Sequence, residues 1–458
     1  MEKAHKKDSL FPIIITALLF AVLIILTSIL IQLFGNQRSA PPEALSLAAK
    51  ISTYDEKDNY DISGYLVPEF IGITSEGKRL GITYEINVMS EIYNSLSPYL
   101  SEMSFGSSIT EISDDEWMSF AKAENSVYFR YHNEYPDVLV FSMTDYISSL
   151  TYSRDEVDVF IYEMLLIPSD EPERSPLLIT RDFGGKSYLF TPTSITESGE
   201  LSADILSRLS SSFSSSMHEF KFSFEFSGYE SASQTEPIIL DALITRNVLM
   251  SDGSATTMRS SQTEITYLLK LFGMNPDKLL STRLEDSVST YTDRQGVLTI
   301  EDTYIDFKAA EDDIPDPVLN VSDIEGSTLI KYIKASAIIF SDFKNLGRIY
   351  AGGVADIGLV SVSSTGRTVR LVFDYFYDNI PIKGIDHALD ISFTNGNLVS
   401  FRLYTMSVRN LGVRNEMFTE WWFYDMIKKK SHVPSNVTVV YRGNYQSDAV
   451  SAEWAAID

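Results

Sequence analysis

Residues 389–403 read LDISFTNGNLVSFRL, and this stretch decides the fold class. The polar loop Asn395, Gly396 and Asn397 separates two arms of alternating apolar residues, which is the pattern of a β-hairpin. Folding about that loop brings Phe393 to face Val399, Ile391 to face Phe401 and Leu389 to face Leu403. The same register sets Asp390 opposite Arg402 on the other face, and a one-residue slip would lose both matches. An antiparallel sheet with one buried face is therefore expected.

Other stretches repeat that logic. Gly184 and Gly185 separate strand-like residues 177–183 from 186–190, and HEFKFSFEF (218–226) alternates aromatic and polar residues. Helices are interleaved with these strands. Ser113 to Glu116 (SDDE) is a capping-box pattern ahead of Trp117, Phe120 and Ala121. Ser261 to Glu264 (SQTE) is another, followed by Ile265, Leu268, Leu269 and Phe272 at helical spacing, with Gly273 as the C′ glycine and Pro276 beyond. Leu201, Ile205, Leu206, Leu209 and Phe213 share one face of a serine-rich amphipathic helix. Asn415 is expected to cap a helix bearing Met417, Phe418, Trp421, Trp422 and Ile427, ending in three lysines at 428–430.

The fold class expected is therefore α+β: antiparallel sheets with packed helices, in several domains behind an N-terminal transmembrane helix. Residues 10–34 (LFPIIITALLFAVLIILTSILIQLF) carry no formal charge. At 1.5 Å per residue they span about 37 Å of helix, more than the ~30 Å hydrocarbon core. Lys3, Lys6 and Lys7 precede the run and Arg38 follows it, so the positive-inside rule keeps the N-terminus cytoplasmic and sends the bulk outside. The division expected is a cytoplasmic tail at 1–9, a membrane helix at 10–34 and a spacer at 35–63. Domains follow at 64–230, 236–312 and 318–458, with polar or acidic joints between them. Ala17, Ala21 and Ser28 share one helical face whose small side chains suit packing on a partner helix in the bilayer.

Composition excludes several function classes. Of 458 residues, 63 are acidic and 37 basic, a formal net charge of −26, which repels phosphate backbones and argues against nucleic acid as partner. There is no cysteine, so no disulfide, thiolate metal site or cysteine nucleophile exists. The histidines (His5, His132, His218, His387 and His432) lie far apart and form no metal-ligand spacing, so no metal and no cofactor is expected. Ser75, Ser119 and Ser341 each stand three residues before a lysine (Lys78, Lys122, Lys344), as in penicillin-binding enzymes. The companion S-D-N and K-T-G elements are missing, so the matches are those that chance supplies in a serine-rich chain. No catalytic site is legible.

Three stretches resemble the YycH/YycI family of Gram-positive bacteria. EITYLLKLFG (264–273) followed by STYTDRQGVLTIEDTYIDF (289–307) is similar to its helix, turn and aromatic strand, although Arg294 replaces the glycine after Asp293 and Gly296 comes two positions later. VRLVFDYFYDNIPIKG (369–384) leading to LDISFTNGNLVSFRLYT (389–405) resembles its strand, G-x-P-I turn and hairpin, with Asn379 standing for the usual glycine. VTVVYRGNYQSDAVSAEWAAID (437–458) is like its closing strands, with Ala452, Glu453 and Trp454 departing from the usual Pro-Val-Trp. The resemblance implies a membrane-anchored, single-pass extracytoplasmic regulator without enzymatic activity. Such a protein sets the output of the two-component sensor histidine kinase that controls cell-wall metabolism. The partners implied are that kinase, a sister YycI/YycH-type protein and the lipid bilayer. The alternative is an envelope binding or scaffolding protein, and after it a cell-wall hydrolase or transferase.

Overall fold

The computed structural model describes residues 66–457 with interruptions, the longest at 143–158, 227–236 and 252–261. Two sheets organise these residues. The first has nine strands: β1 (Phe70–Ser75), β2 (Lys78–Thr83), β3 (Ser108–Ile112), β4 (Ser126–Pro136), β5 (Phe160–Ile167), β6 (Leu177–Arg181), β7 (Ser187–Thr191), β8 (His218–Phe222) and β9 (Pro237–Ile239). Their order across the sheet is β3-β7-β6-β5-β4-β1-β2-β8-β9. Helices α1 (Ile86–Ser104), α2 (Asp114–Ala121), α3 (Asp137–Ser142) and α4 (Ala203–Phe213) belong to this half.

The second sheet has fourteen strands. They are β10 (Ile244–Ser251), β11 (Ser281–Leu284), β12 (Val288–Thr292), β13 (Gly296–Glu301), β14 (Tyr304–Ala309), β15 (Gly352–Gly353), β16 (Asp356–Thr365), β17 (Thr368–Tyr377), β18 (Ile380–Lys383), β19 (Leu389–Thr394), β20 (Asn397–Tyr404), β21 (Ser407–Met417), β22 (Asn436–Arg442) and β23 (Ala449–Ile457). The main path runs β11-β12-β13-β14-β20-β19-β17-β18-β22-β23-β10-β21-β15, with β16 hanging from β17. Helices α5 (Gln262–Leu271), α6 (Thr328–Asn345) and α7 (Glu420–Lys428) accompany it. This path has narrow joints. Strand β18 meets β22 at two residue pairs, Ile382 with Tyr441 and Lys383 with Arg442, and β23 meets β10 at two, Leu249 with Val450 and Met250 with Ala449.

The α+β architecture of antiparallel sheets with packed helices is what forms, but the expected N-terminal transmembrane helix is withdrawn from the fold. Among the described residues no helix is long and apolar enough to cross a membrane. The physical reason is visible in the longest helices, α1 and α6: polar or charged residues such as Asn87, Glu91, Lys331 and Lys334 interrupt the apolar ones, as a helix burying a single face requires. Residues 10–34, with Ala17, Ala21 and Ser28, lie outside the described residues, as do 1–9 and 35–63.

The 389–403 hairpin forms between β19 and β20, with Leu389 opposite Leu403, Ile391 opposite Phe401 and Asp390 opposite Arg402. Phe393 instead faces Leu398, because a bulge takes Val399 out of the ladder. The other face also rearranges. Arg370 of β17 grips Asp390 with its Nε at 2.9 Å, while Arg402 Nε donates to Asp306 of β14 at 2.8 Å. Each charge pairs with the strand on the side away from its hairpin partner, so the two ion pairs tie the hairpin to β17 and to β14.

Aromatic rings fill the core behind this sheet. Phe272, just past α5, stacks on Phe307 at 4.6 Å and lies 5.3 Å from Phe401, and Phe343 of α6 also lies 5.3 Å from Phe401. In the nine-stranded sheet Gly72 and Gly81 pair across β1 and β2. A Cβ at Gly81 would lie 2.4 Å from Phe70 and one at Gly72 2.8 Å from Phe220, so the paired glycines open a slot in which these rings meet edge to face at 5.2 Å.

Helix signals fared differently. The Ser113–Glu116 capping box forms at α2. Gly273 takes φ +68° as a C′ glycine, with Met274 N–H donating to Leu269 O at 2.8 Å. Ser261 lies outside the described residues. Asn415 is no cap. It sits in β21 and donates its amide to Ala452 O at 3.0 Å, while α7 starts at Glu420 with Thr419 Oγ1 accepting from Trp422 N–H.

Candidate functional site

The two sheets meet along a seam that gathers most of the buried polar groups linking the halves. Its centre is Glu69, 1% exposed, immediately before β1. Its carboxylate lies 3.3 Å from Arg130 Nε of β4, itself 3% exposed, and accepts a hydrogen bond from the Thr438 hydroxyl of β22. A buried pair of this kind persists only when further hydrogen bonds satisfy it, and Thr438 supplies one from across the seam. Tyr84 reaches over from the end of β2. Its hydroxyl accepts from Val439 N–H at 3.0 Å, and its backbone is held at φ +62°, a strained conformation for a bulky residue.

Helix α7 closes one end of the seam. The Glu420 carboxylate accepts from Ile239 N–H of β9 at 3.0 Å, and Trp421 stacks on Phe226 at 4.3 Å. Burial pushes the Glu420 carboxyl up to about 7; Arg130 and the Ile239 hydrogen bond pull it back, and the nearby Glu69 charge raises it.

At the other end stands His132 of β4. Its imidazole lies 5.0 Å from the Phe376 ring and hydrogen-bonds Asn379 Oδ1 at 3.3 Å. Burial holds its pKa below the ordinary histidine value, which leaves a neutral ring with Nε2–H as the donor. The Asn379 amide also donates to Pro68 O at 2.9 Å. Asp378 (φ +49°) and Asn379 (φ +58°) form the two-residue turn between β17 and β18, the geometry that favours glycine or asparagine. Asparagine keeps the turn and adds an amide that reaches the other sheet. Tyr135 completes this end by donating its hydroxyl to Leu359 O of β16 at 2.5 Å.

Between these contacts lie two cavities. A small one of about 130 Å³ sits under His132, Tyr135 and Asn379. A larger cleft of about 520 Å³ opens between β4 and β5 on one side and β16 on the other, with Glu134, Phe160, Phe183, Ser361 and Lys383 on its walls. Its aromatic rim is unusually open to solvent, with Phe160 36% and Phe183 49% exposed.

The residues singled out in the sequence are scattered. Ser75 and Lys78 pair across the β1–β2 turn, and Lys122, just past α2, lies 5.3 Å from the Phe224 ring. His387 hydrogen-bonds Asp374 at 2.7 Å beside Lys383 at 3.1 Å, His218 opens β8, and His5 and His432 lie outside the described residues. Among the described residues no group of three histidines or carboxylates is placed to hold a metal ion. The seam itself was not legible beforehand, because its members come from ends of the chain up to 369 residues apart. The nearest signal was the asparagine at 379 in a turn that otherwise calls for glycine.

No known family model matches the chain, and no curated protein sequence matches it either.

Proposed function

We propose that this chain is an accessory regulator that acts at the outer face of the cell membrane by protein–protein contact. In this reading it sets the output of a two-component sensor histidine kinase of cell-wall metabolism, together with a sister protein of YycH/YycI type. The chemistry belongs to the kinase, and no chemical step is assigned to this chain. One observation supports the reading. The stretches that resemble the YycH/YycI family supply adjoining parts of a single sheet: β12 to β14 pair onward to β20, β17 to β19 complete that hairpin unit, and β22 with β23 attaches through β18. A resemblance spread over three separate stretches thus becomes one structural unit, as an inherited body requires.

The test is affinity isolation of the tagged chain from its own cells in mild detergent, paired with a transcriptional reporter of the kinase. Recovery of the kinase and altered reporter output on deletion are expected. An eluate without kinase, together with unchanged output in the deletion strain, would overturn the reading.

A further inference from the structure

The cleft between the sheets contains an open strand edge. Strand β16 pairs along one side with β17, from Asp356 opposite Phe376 to Thr365 opposite Thr368. Among the described residues no strand pairs with its other side. Tyr135 covers that side at Leu359, and a bulge follows between Leu359 and Ser361. From there to Thr365 the strand is half-buried or exposed, and Val360, Ser361 and Val362 border the larger cleft.

An edge of this length invites unwanted pairing, and proteins usually blunt it with lysine, proline or a covering element. The sequence of β16, DIGLVSVSST, contains neither lysine nor proline. Val360, Ser361 and Val362 lie inside the cleft rather than on an open face. The opposite wall offers Phe160, Phe183 and Glu134, and Glu134 Oε2 accepts from Phe183 N–H at 3.3 Å. The Glu134 side chain is exposed, and its Oε1 takes part in no hydrogen bond among the described residues.

We propose that the free edge of β16 binds an extended segment of another protein by strand addition. Main-chain hydrogen bonds form along Val360–Val362 and beyond, apolar side chains of the segment lie against Phe160 and Phe183, and a lysine or arginine pairs with Glu134. An extended backbone is the ligand that matches a strand edge left unpaired among the described residues, in a groove of mixed aromatic and polar walls. The cleft volume of about 520 Å³ falls in the usual range for ligand sites, roughly 300–1,000 Å³. Charge complementarity selects a basic segment: the whole chain carries −26, the Lys383 ammonium on the cleft wall is taken up by Asp374 at 3.1 Å, and the Glu134 carboxylate is exposed. This inference is independent of the regulator reading, because it concerns the purified chain alone.

The test is selection of a phage-displayed library of random dodecapeptides on the full chain. Enriched peptides are then measured by fluorescence anisotropy against the parent protein and its Ser361→Lys and Phe183→Ser variants. Both substituted positions are exposed, and urea unfolding of each variant verifies that the fold is kept. The expected peptides alternate apolar and polar residues around a lysine or arginine. Each variant should weaken them at least tenfold, and N-methylation of alternate peptide groups should do the same. Exchanging the basic residue for glutamate should weaken binding about fivefold. Failure to enrich any peptide, or peptides that bind both variants and their own N-methylated forms unchanged, would overturn the proposal. Concentration-dependent dimerisation abolished by Ser361→Lys would overturn it too, by giving the edge to a second copy of the chain.

Discussion

Replacing Glu420 by glutamine should flatten the pH dependence of stability between about pH 4.5 and 7. In the folded protein the Glu420 carboxyl titrates at about 7, against an ordinary value of 4.5, because α7 buries it against β9. A group that holds its proton more tightly when folded contributes stability that is complete below the unfolded value. That contribution disappears as pH rises through the folded value. The displacement corresponds to about 3 kcal/mol at ~1.4 kcal/mol per pH unit, lost between pH 4.5 and somewhat above 7. Glutamine keeps an oxygen for the Ile239 N–H and has no proton to lose. Urea unfolding followed by tryptophan fluorescence reads the change directly, since Trp421 stacks on Phe226 beside this site and Trp454 stacks on Phe423 of the same helix. Between pH 5.5 and 8.5 the wild-type protein should lose about 2 kcal/mol more than Glu420→Gln. Parallel curves for the two proteins would refute the argument, because every other titrating group is common to both.

His132 works in the opposite sense. Its depressed pKa means that folded stability falls as pH drops below the ordinary histidine value of 6.5, so this group opposes the Glu420 trend on the acid side, and His132→Gln should lose that acid-side fall in the same unfolding assay. Asn379→Gly keeps a turn that tolerates positive φ but removes the hydrogen bonds to Pro68 and His132, which should cost about 1–3 kcal/mol and quicken proteolysis at the seam. Gly296→Ala should cost at least as much, about 1–3 kcal/mol for the strain it forces, because its Cβ would lie 2.2 Å from Lys308 O across β14; calorimetry reads the loss. Ser113→Ala should cost about 1 kcal/mol through the capping box of α2, and a drop well below that in thermal unfolding would show that α2 is held by packing alone.

How much of this was legible depends on how local the physics is. The Leu389–Leu403 and Ile391–Phe401 pairs follow from a period of two and one loop, and both formed. The bulge that moved Phe393 onto Leu398 did not follow, because nothing in a two-strand reading distinguishes Val399 from its neighbours. Asp390 and Arg402 were placed opposite one another, yet each bonds to a third or fourth strand whose adjacency no hairpin reveals. Asn415 shows the converse error. Met417, Phe418, Trp421 and Trp422 are spaced as on one helix, but Met417 ends a strand and only the residues from Glu420 onward are helical. At the turn after β12 the Asp293 carboxylate accepts from Gln295 and Gly296 N–H, which carries the chain to Gly296, where a side chain would strike β14. Glu69, Arg130, Glu420 and Thr438 carry no local signature at all, since a buried charge resembles a solvated one until its partner arrives from another sheet.

The narrow joints of the large sheet have a mechanical meaning. Its hydrogen-bonded path passes from β18 to β22 through two residue pairs and from β23 to β10 through two more, whereas β22 and β23 share seven. Ladder bonds loaded along the strands share the force, so a joint of two pairs yields long before a ladder of seven. Two more joints, β17 with β18 and β21 with β15, also rest on two pairs, so under tension the sheet gives first at these rivets while its long ladders hold. Stretching the molecule should open the sheet at such joints, Lys383 and Met250 among them, before the seven-pair ladder of β22 and β23 yields.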